Sequence, residues 1–210
     1  MPKKIAPRFY FIGNHPVLDY VNTKIIDQGQ PLDLIGTFDD LLDWLIKAGL
    51  LSESLGVRCK QAWGGTEQEN EIMTAASALR EELFKLVRAG HSDGEFAGEK
   101  DSIRFINLFL KEQSLSTKLV LDENGFRRVS HTVLRKPLDL LTPVANAAVD
   151  FLTTHDLNLV KECENPACVL HFYDNSKNST RRWCSPKTCG NRMKVAAYLA
   201  RQKQRSAEES

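Results

Sequence analysis

A chain of 210 residues with 42% hydrophobic, 26% charged and 8% aromatic residues, 12 glycines and 8 prolines has the composition of an ordinary globular protein, which excludes wholesale disorder and collagen-like repeats. That length suits one substantial core with a small appended module and is too short for two enzyme-sized domains. The net charge of +1 hides an asymmetry: Lys161 to Arg205 holds ten Lys or Arg against three acids, a net +7, while the remainder holds 18 bases against 24 acids. Only the C-terminal segment therefore has the field of a polyanion binder.

No stretch reaches the roughly 20 uncharged apolar residues of a membrane-spanning helix, so no membrane partner is expected. Met1-Pro2-Lys3-Lys4 leads into only a brief apolar patch, which does not read as a secretory signal, and a cytoplasmic location is expected. Five cysteines, four of them crowded between Cys163 and Cys189, fit reduced thiols better than a secreted disulfide framework.

In chain order, Phe9 to Ile12 reads as a short strand, Gly13-Asn14-His15-Pro16 as a turn, and Pro16 as the opening of a helix. From Thr37, the spacing of Phe38, Leu41, Leu42, Leu45 and Ile46 predicts a helix that stops near Gly49. A second helix is predicted over 68–87 from Ile72, Ala76, Leu79, Leu83 and Leu86, and a third over 101–111 with Asp101 or Ser102 as cap. A Gly-rich loop, 90–98, separates those two. Two strand-like runs around Asn124-Gly125 predict a β-hairpin over 117–133, and a long helix over 138–153 closes the first domain.

The decisive pattern is Cys163-x4-Cys168-x15-Cys184-x4-Cys189. Two close pairs separated by a loop suit a tetrahedral zinc ion, because each pair forms a turn that aims two thiolates at one point about 2.3 Å away. Four thiolates fill the shell, so one structural Zn2+ is expected, supplying folding energy to a segment with few apolar residues. Short strands at 157–161 and 169–173 flank the first pair. Ser185 as N-cap and Pro186 as first helical residue open a helix to about residue 204, placing Cys189 in its first turn. His171, in an alternating strand, reads as a packing residue, Trp183 as a lid over the metal, and Cys59 as a lone thiol without a partner base.

The run Arg182-Trp183-Cys184-Ser185-Pro186-Lys187-Thr188-Cys189-Gly190-Asn191-Arg192-Met193-Lys194 resembles the signature of the CGNR zinc finger family. Residues 13–23, Gly-Asn-His-Pro-Val-Leu-Asp-Tyr-Val-Asn-Thr, are similar to the opening of the ABATE domain, which precedes that finger in bacterial proteins described as stress-induced transcription regulators. The resemblance implies that Cys163, Cys168, Cys184 and Cys189 ligate zinc, that the finger binds DNA, and that the preceding domain senses a small molecule or stress signal.

The expected fold is α+β: a mainly helical domain, 1–155, with a β-hairpin, then a four-cysteine zinc finger, 156–205, ending in a basic helix, and a tail, 206–210. Lys187, Arg192, Lys194, Arg201 and Lys203 of that helix, with Lys177, Arg181 and Arg182 before it, are candidate phosphate contacts, and Asn191 and Arg192 are candidates for base edges. An apolar stripe of Met193, Ala196, Ala197 and Ala200 is expected to rest on the knuckle or the first domain.

Asn14, His15, Asp19 and Asn22, with Arg80 and Arg104, are candidates for an effector pocket. Each has a structural alternative as turn, cap, backbone partner or surface ion pair. No phosphate-binding loop, hydrolase elbow or nucleophile and base pair is present, so enzyme activity is not expected. The leading expectation is a DNA-binding transcription regulator. Its rivals are a zinc-stabilised protein-interaction module and, more weakly, a small-molecule enzyme. A homodimer would suit a paired operator, although no heptad pattern points to one.

Overall fold

The computed structural model describes residues 8–89, 99–111, 114–123 and 125–208. The chain forms two compact units: one from the chain up to Leu34 together with the chain from Asn158 onward, the other from Ile35 to Leu157. Beside the boundary near residue 157 there is a second one at Leu34, because Tyr10, Ile12 and Ile25 pack against the cysteine core.

The first unit opens without the strand expected at Phe9 to Ile12. That stretch has no regular structure, although Phe9 is buried. Helix α1 (Pro16–Val21) starts at the expected proline, with His15 as N-cap accepting from the Val17 N–H. A short antiparallel hairpin follows, β1 (Lys24–Asp27) with β2 (Gln30–Asp33), turning through Gln28 and Gly29, both at positive φ. Pro31 is tolerated there because β2 is an edge strand.

In the second unit, α2 (Phe38–Lys47) is closed by a full capping box between Thr37 and Asp40. Helix α3 (Glu53–Trp63), capped by Ser52, has no counterpart in the sequence expectations. Helices α4 (Glu67–Ala89) and α5 (Lys100–Leu110) lie where periodicity predicts them, but Ser102 is not a cap: its hydroxyl donates to Glu82 of α4. The Gly-rich loop 90–98 lies outside the described residues. A hairpin of β3 (Ser114–Asp122) and β4 (Gly125–Val133) matches the predicted one, with Asn124 of its turn outside the described residues.

The long helix expected over 138–153 is broken in two, a 3-10 turn at Pro137–Leu141 followed by α6 (Thr142–Thr154). Pro143 cannot donate an N–H, so the chain restarts there as a new helix. The core of this unit is the apolar stripe of each helix: Trp44, Leu45, Ile72, Leu79, Leu83 and Phe151 are almost fully buried. The Thr142 hydroxyl, donating to the Phe109 carbonyl at 3.0 Å, fastens α6 to α5.

Returning to the first unit, a 3-10 turn at Leu157–Leu159 leads to β5 (Val160–Glu162), which pairs antiparallel with β6 (His171–Tyr173). The chain ends in a π-helical turn, Pro186–Gly190, and helix α7 (Asn191–Glu208).

Candidate metal centre and basic helix

The β5–β6 pairing brings Cys163 and Cys168 to one end of a two-stranded knuckle, where the Cys163 N–H donates to the Leu170 carbonyl at 3.0 Å. Asn165 shapes the turn between them. Its carbonyl accepts the Cys168 N–H at 2.8 Å, its Oδ1 accepts the Ala167 N–H, and its Nδ2 donates to the Cys189 sulfur at 3.2 Å. The second pair lies on the Trp183 to Gly190 segment, joined to the first where Glu164 N–H donates to the Arg182 carbonyl. Pro186 occupies the first position of the turn as expected, but the Ser185 side chain makes no cap hydrogen bond; its carbonyl instead accepts from Thr188 and Gly190.

The four sulfurs lie within 4.8 Å of one another, with Cys168 to Cys184 at 3.8 Å and Cys184 to Cys189 at 3.6 Å. A tetrahedron with metal–sulfur bonds of about 2.3 Å has edges of about 3.8 Å, so the cluster has the dimensions of a four-cysteine zinc shell. A hydrogen bond shared by the Cys168 and Cys184 sulfurs pulls the Cys168 thiol down to about 5, while the same bond and burial push Cys184 far above the usual thiol range, and burial also raises Cys163. Four thiolates this close need a cation between them, and a zinc ion bound there supplies that charge and the cross-link. No fifth ligand is needed, so the site is structural.

Around the sulfurs lies a core of Leu170 and Phe172 with Tyr10, Ile12, Ile25 and Trp183 packed against it. Trp183, expected as a lid, is one of the half-buried side chains packed against the cluster. Gly190 permits this, since a Cβ there would stand 3.3 Å from the indole. His171 is buried outside the cluster, its Nε2 at 3.2 Å from Glu162. Cys59 is a buried α3 thiol pushed up to about 11 by burial, which disfavours its thiolate.

Arg181 is not a surface base. Its guanidinium lies 4.1 Å over the Phe172 ring and donates to the carbonyls of Ile12, Trp183 and Cys184, with its charge facing Cys184, Asp174 and Cys163. A zinc ion with four thiolates carries a net charge of −2, which this cation offsets from inside the fold. Asp174, almost fully buried, fixes the loop that runs from it to Arg181. Burial alone would raise its carboxyl, but bonds from the Lys161 ammonium, Ser176 and the Arg181 N–H outweigh that and hold it far below the carboxylate range. Asn165, Arg181 and Asp174 are the residues whose roles the sequence pattern did not identify. The available signal for Asp174 was its place as the sole acid between Asn165 and Arg205.

Four of the candidate pocket residues, Asn14, His15, Asp19 and Asn22, make hydrogen bonds that brace their own unit. Asn22, 1% exposed, pairs with the backbone of His171 through both ends of its amide at 2.8 Å, as a strand would. Asn14, at positive φ, donates to the Tyr173 carbonyl at 2.9 Å and to Asn175. His15 caps α1, and buried Asp19 accepts the Gly13 N–H at 2.7 Å. Gly13 itself can carry no side chain, because a Cβ would come within 2.6 Å of Leu18. Arg80 is buried in α4, and Arg104 is exposed and paired with Asp101. The first four share one compact unit, and these two belong to the other. A small cleft of about 240 Å3 in that second unit is lined by Thr37, Phe38, Asp39, Lys60, Gly64, Gly65 and Glu69, none of them an expected ligand residue.

Helix α7 is exposed from Asn191 to Ala207, only Met193 being half-buried, so the stripe of Met193, Ala196, Ala197 and Ala200, expected to rest on the knuckle or the first domain, is left largely uncovered. At 3.6 residues per turn, Lys194, Arg201 and Arg205 line one flank and Arg192 and Lys203 the other. Val195, Tyr198 and Leu199 form an exposed apolar ridge opposite the alanines. Lys177, Lys187 and Asn191 are exposed as expected, while Arg182 is held by Glu164 at the surface.

The sequence matches two families. Residues 14–155 match the ABATE family, described as "Putative stress-induced transcription regulator", and residues 160–202 match the CGNR zinc finger. No curated protein matches the chain. Among the described residues no helix is long and apolar enough to cross a membrane. With more than half of its length in the first match and the four-sulfur cluster in the second, the chain belongs to the ABATE family and carries a CGNR zinc finger able to hold one zinc ion at Cys163, Cys168, Cys184 and Cys189.

Proposed function

We propose that this is a cytoplasmic DNA-binding transcription regulator, not an enzyme, in which the zinc-held segment presents α7 to duplex DNA while the helical unit receives a small-molecule or stress signal. The observation that carries it is the exposure of α7 with bases on both flanks, which matches the phosphate rows on either side of a groove. Lys177 and Lys187 extend the same field. Asn191 and Arg192, exposed where α7 begins, are the side chains suited to bidentate bonds with adenine and guanine. Arg181 is removed from the contact set by its inward bonds, and Arg182 contributes only if it leaves Glu164.

The test is binding to duplex DNA selected from genomic fragments, measured over a range of salt. The logarithm of affinity is expected to fall linearly with that of salt concentration, and Lys194→Ala and Arg201→Ala each to reduce the slope by about 0.9. Arg192→Ala is expected to cost about 1–3 kcal/mol on the selected site and to relax its sequence preference. Absence of salt-sensitive DNA binding by the zinc-loaded protein overturns the reading.

The ridge of Val195, Tyr198 and Leu199 favours a second reading, in which α7 docks on an acidic amphipathic helix of another protein. In that case Tyr198→Ala, not Lys194→Ala, causes the larger loss of partner binding.

A further inference from the structure

Strand β3 is paired with β4 along one edge, and among the described residues no third strand lies along its other edge and no other element packs extensively against the hairpin. Its tip is apolar and open: Leu119 is 73% exposed, Leu121 68% and Phe126 77%. A two-stranded hairpin is marginal alone in water, and an open apolar edge is a template for another strand.

The edge carries Lys118-Leu119-Val120-Leu121-Asp122. Laid antiparallel against itself about Val120, this segment sets Lys118 opposite the partner's Asp122, Leu119 opposite the partner's Leu121, and Val120 opposite its own copy. The other half of the contacts repeats these by symmetry, as an isologous twofold interface requires. Opposed unlike charges and matched aliphatic pairs favour an antiparallel ladder. Centring the pairing on Leu119 or Leu121 instead loses both ion pairs, so the charges select one register. Asp122, which already holds Arg127 at 3.1 Å within its own hairpin, would then bridge two cations.

We propose that the outer edge of β3 pairs with the same edge of a second copy of this chain, joining two hairpins into one four-stranded sheet about a twofold axis at Val120. The pairing does not depend on DNA binding. Its rival is face-to-face stacking of the Leu119, Leu121 and Phe126 surfaces, which does not need the charges.

Sedimentation velocity of the zinc-loaded full-length protein over a range of concentrations tests it. A monomer–dimer equilibrium is expected, weakened at least tenfold by Lys118→Glu and by Asp122→Lys, and restored in an equimolar mixture of the two variants, because each then offers the charge the other lacks. Should Asp122→Lys fail to fold, cross-linking decides. Val120→Cys should form a disulfide-linked dimer on mild oxidation, since directly opposed residues lie about 4.5–5.5 Å apart, whereas Thr117→Cys should not. A protein that stays monomeric throughout overturns the proposal. So does a dimer indifferent to both charge reversals, or equal cross-linking at Thr117.

Discussion

The two compact units reach stability by different means. The unit from Ile35 to Leu157 is held by aliphatic and aromatic stripes on its helices, with Trp44, Leu79 and Phe151 deep inside. The unit built from the two chain ends has a core of sulfurs around Phe172, braced by Asn22, Asn14, Asp19, Asp174 and Arg181. A core of the first kind loses stability in small steps as methylenes are removed. The second depends on one cation and a few polar bonds, each made to a named backbone group.

The largest expected effect comes from breaking the metal shell. Structural zinc contributes about 10–16 kcal/mol of folding free energy in small modules, so Cys184→Ser should unfold residues 8–34 and 158–208 together while leaving α2, α4 and α6 folded. Hydrogen exchange read by peptide mass spectrometry should show lost protection in the first set only. A chain that unfolds as a whole would erase the contrast between the units.

Next in size is Asn22→Ala. It strips the His171 N–H and carbonyl of buried partners, and should lower the denaturation free energy by roughly 2–4 kcal/mol. An equal loss of zinc affinity in a competition titration would sharpen the contrast, since it would tie the N-terminal bracket to the metal. A change under about 0.5 kcal/mol would show that the bracket is decorative.

Asp19 gives a pH signature. Burial pushes its carboxyl up to about 6, against the pull of the Gly13 N–H. In the unfolded chain it titrates near its ordinary value of about 4, so the folded state binds more protons between those limits. Stability through this group is therefore greatest below about pH 4, is lost progressively as pH rises to about 6, and is fully lost above. Asp19→Asn keeps an acceptor for Gly13, so relative to wild type it should gain stability from pH 4 to 7 in denaturant titrations. Parallel curves would contradict the assignment.

The smallest effect on stability is expected from Lys194→Ala and Arg201→Ala, within about 0.5 kcal/mol, because both side chains lie on the solvated flank of α7. Their loss should be seen in DNA binding alone.

What the sequence made legible follows the same contrast. Short-range signals carried through: the cysteine spacing, the stripes of α2, α4 and α5, and the hairpin of β3 and β4. Helix α3 escaped because Glu53 to Trp63 has a weak apolar period interrupted by Gly56. The β1–β2 hairpin escaped because its strands are almost wholly exposed and Pro31 argues against a strand.

The brackets were illegible for a different reason. Asn14 and Asn22 meet partners about 150 positions away, and the residue types that close such long-range bonds are the same ones that line ligand pockets. Arg181 and Arg182 are adjacent and identical, yet one lies over Phe172 inside the fold and the other on the surface with Glu164. Only the packing separates them.

The most direct measurement is hydrogen exchange on the intact protein before and after stoichiometric removal of zinc by a chelator, with metal content followed by native mass spectrometry. One zinc per chain is expected, and its removal should release protection throughout the Cys163 to Cys189 region and the N-terminal bracket while Ile35–Leu157 stays protected. Metal-free protein that keeps its C-terminal protection unchanged would contradict the account.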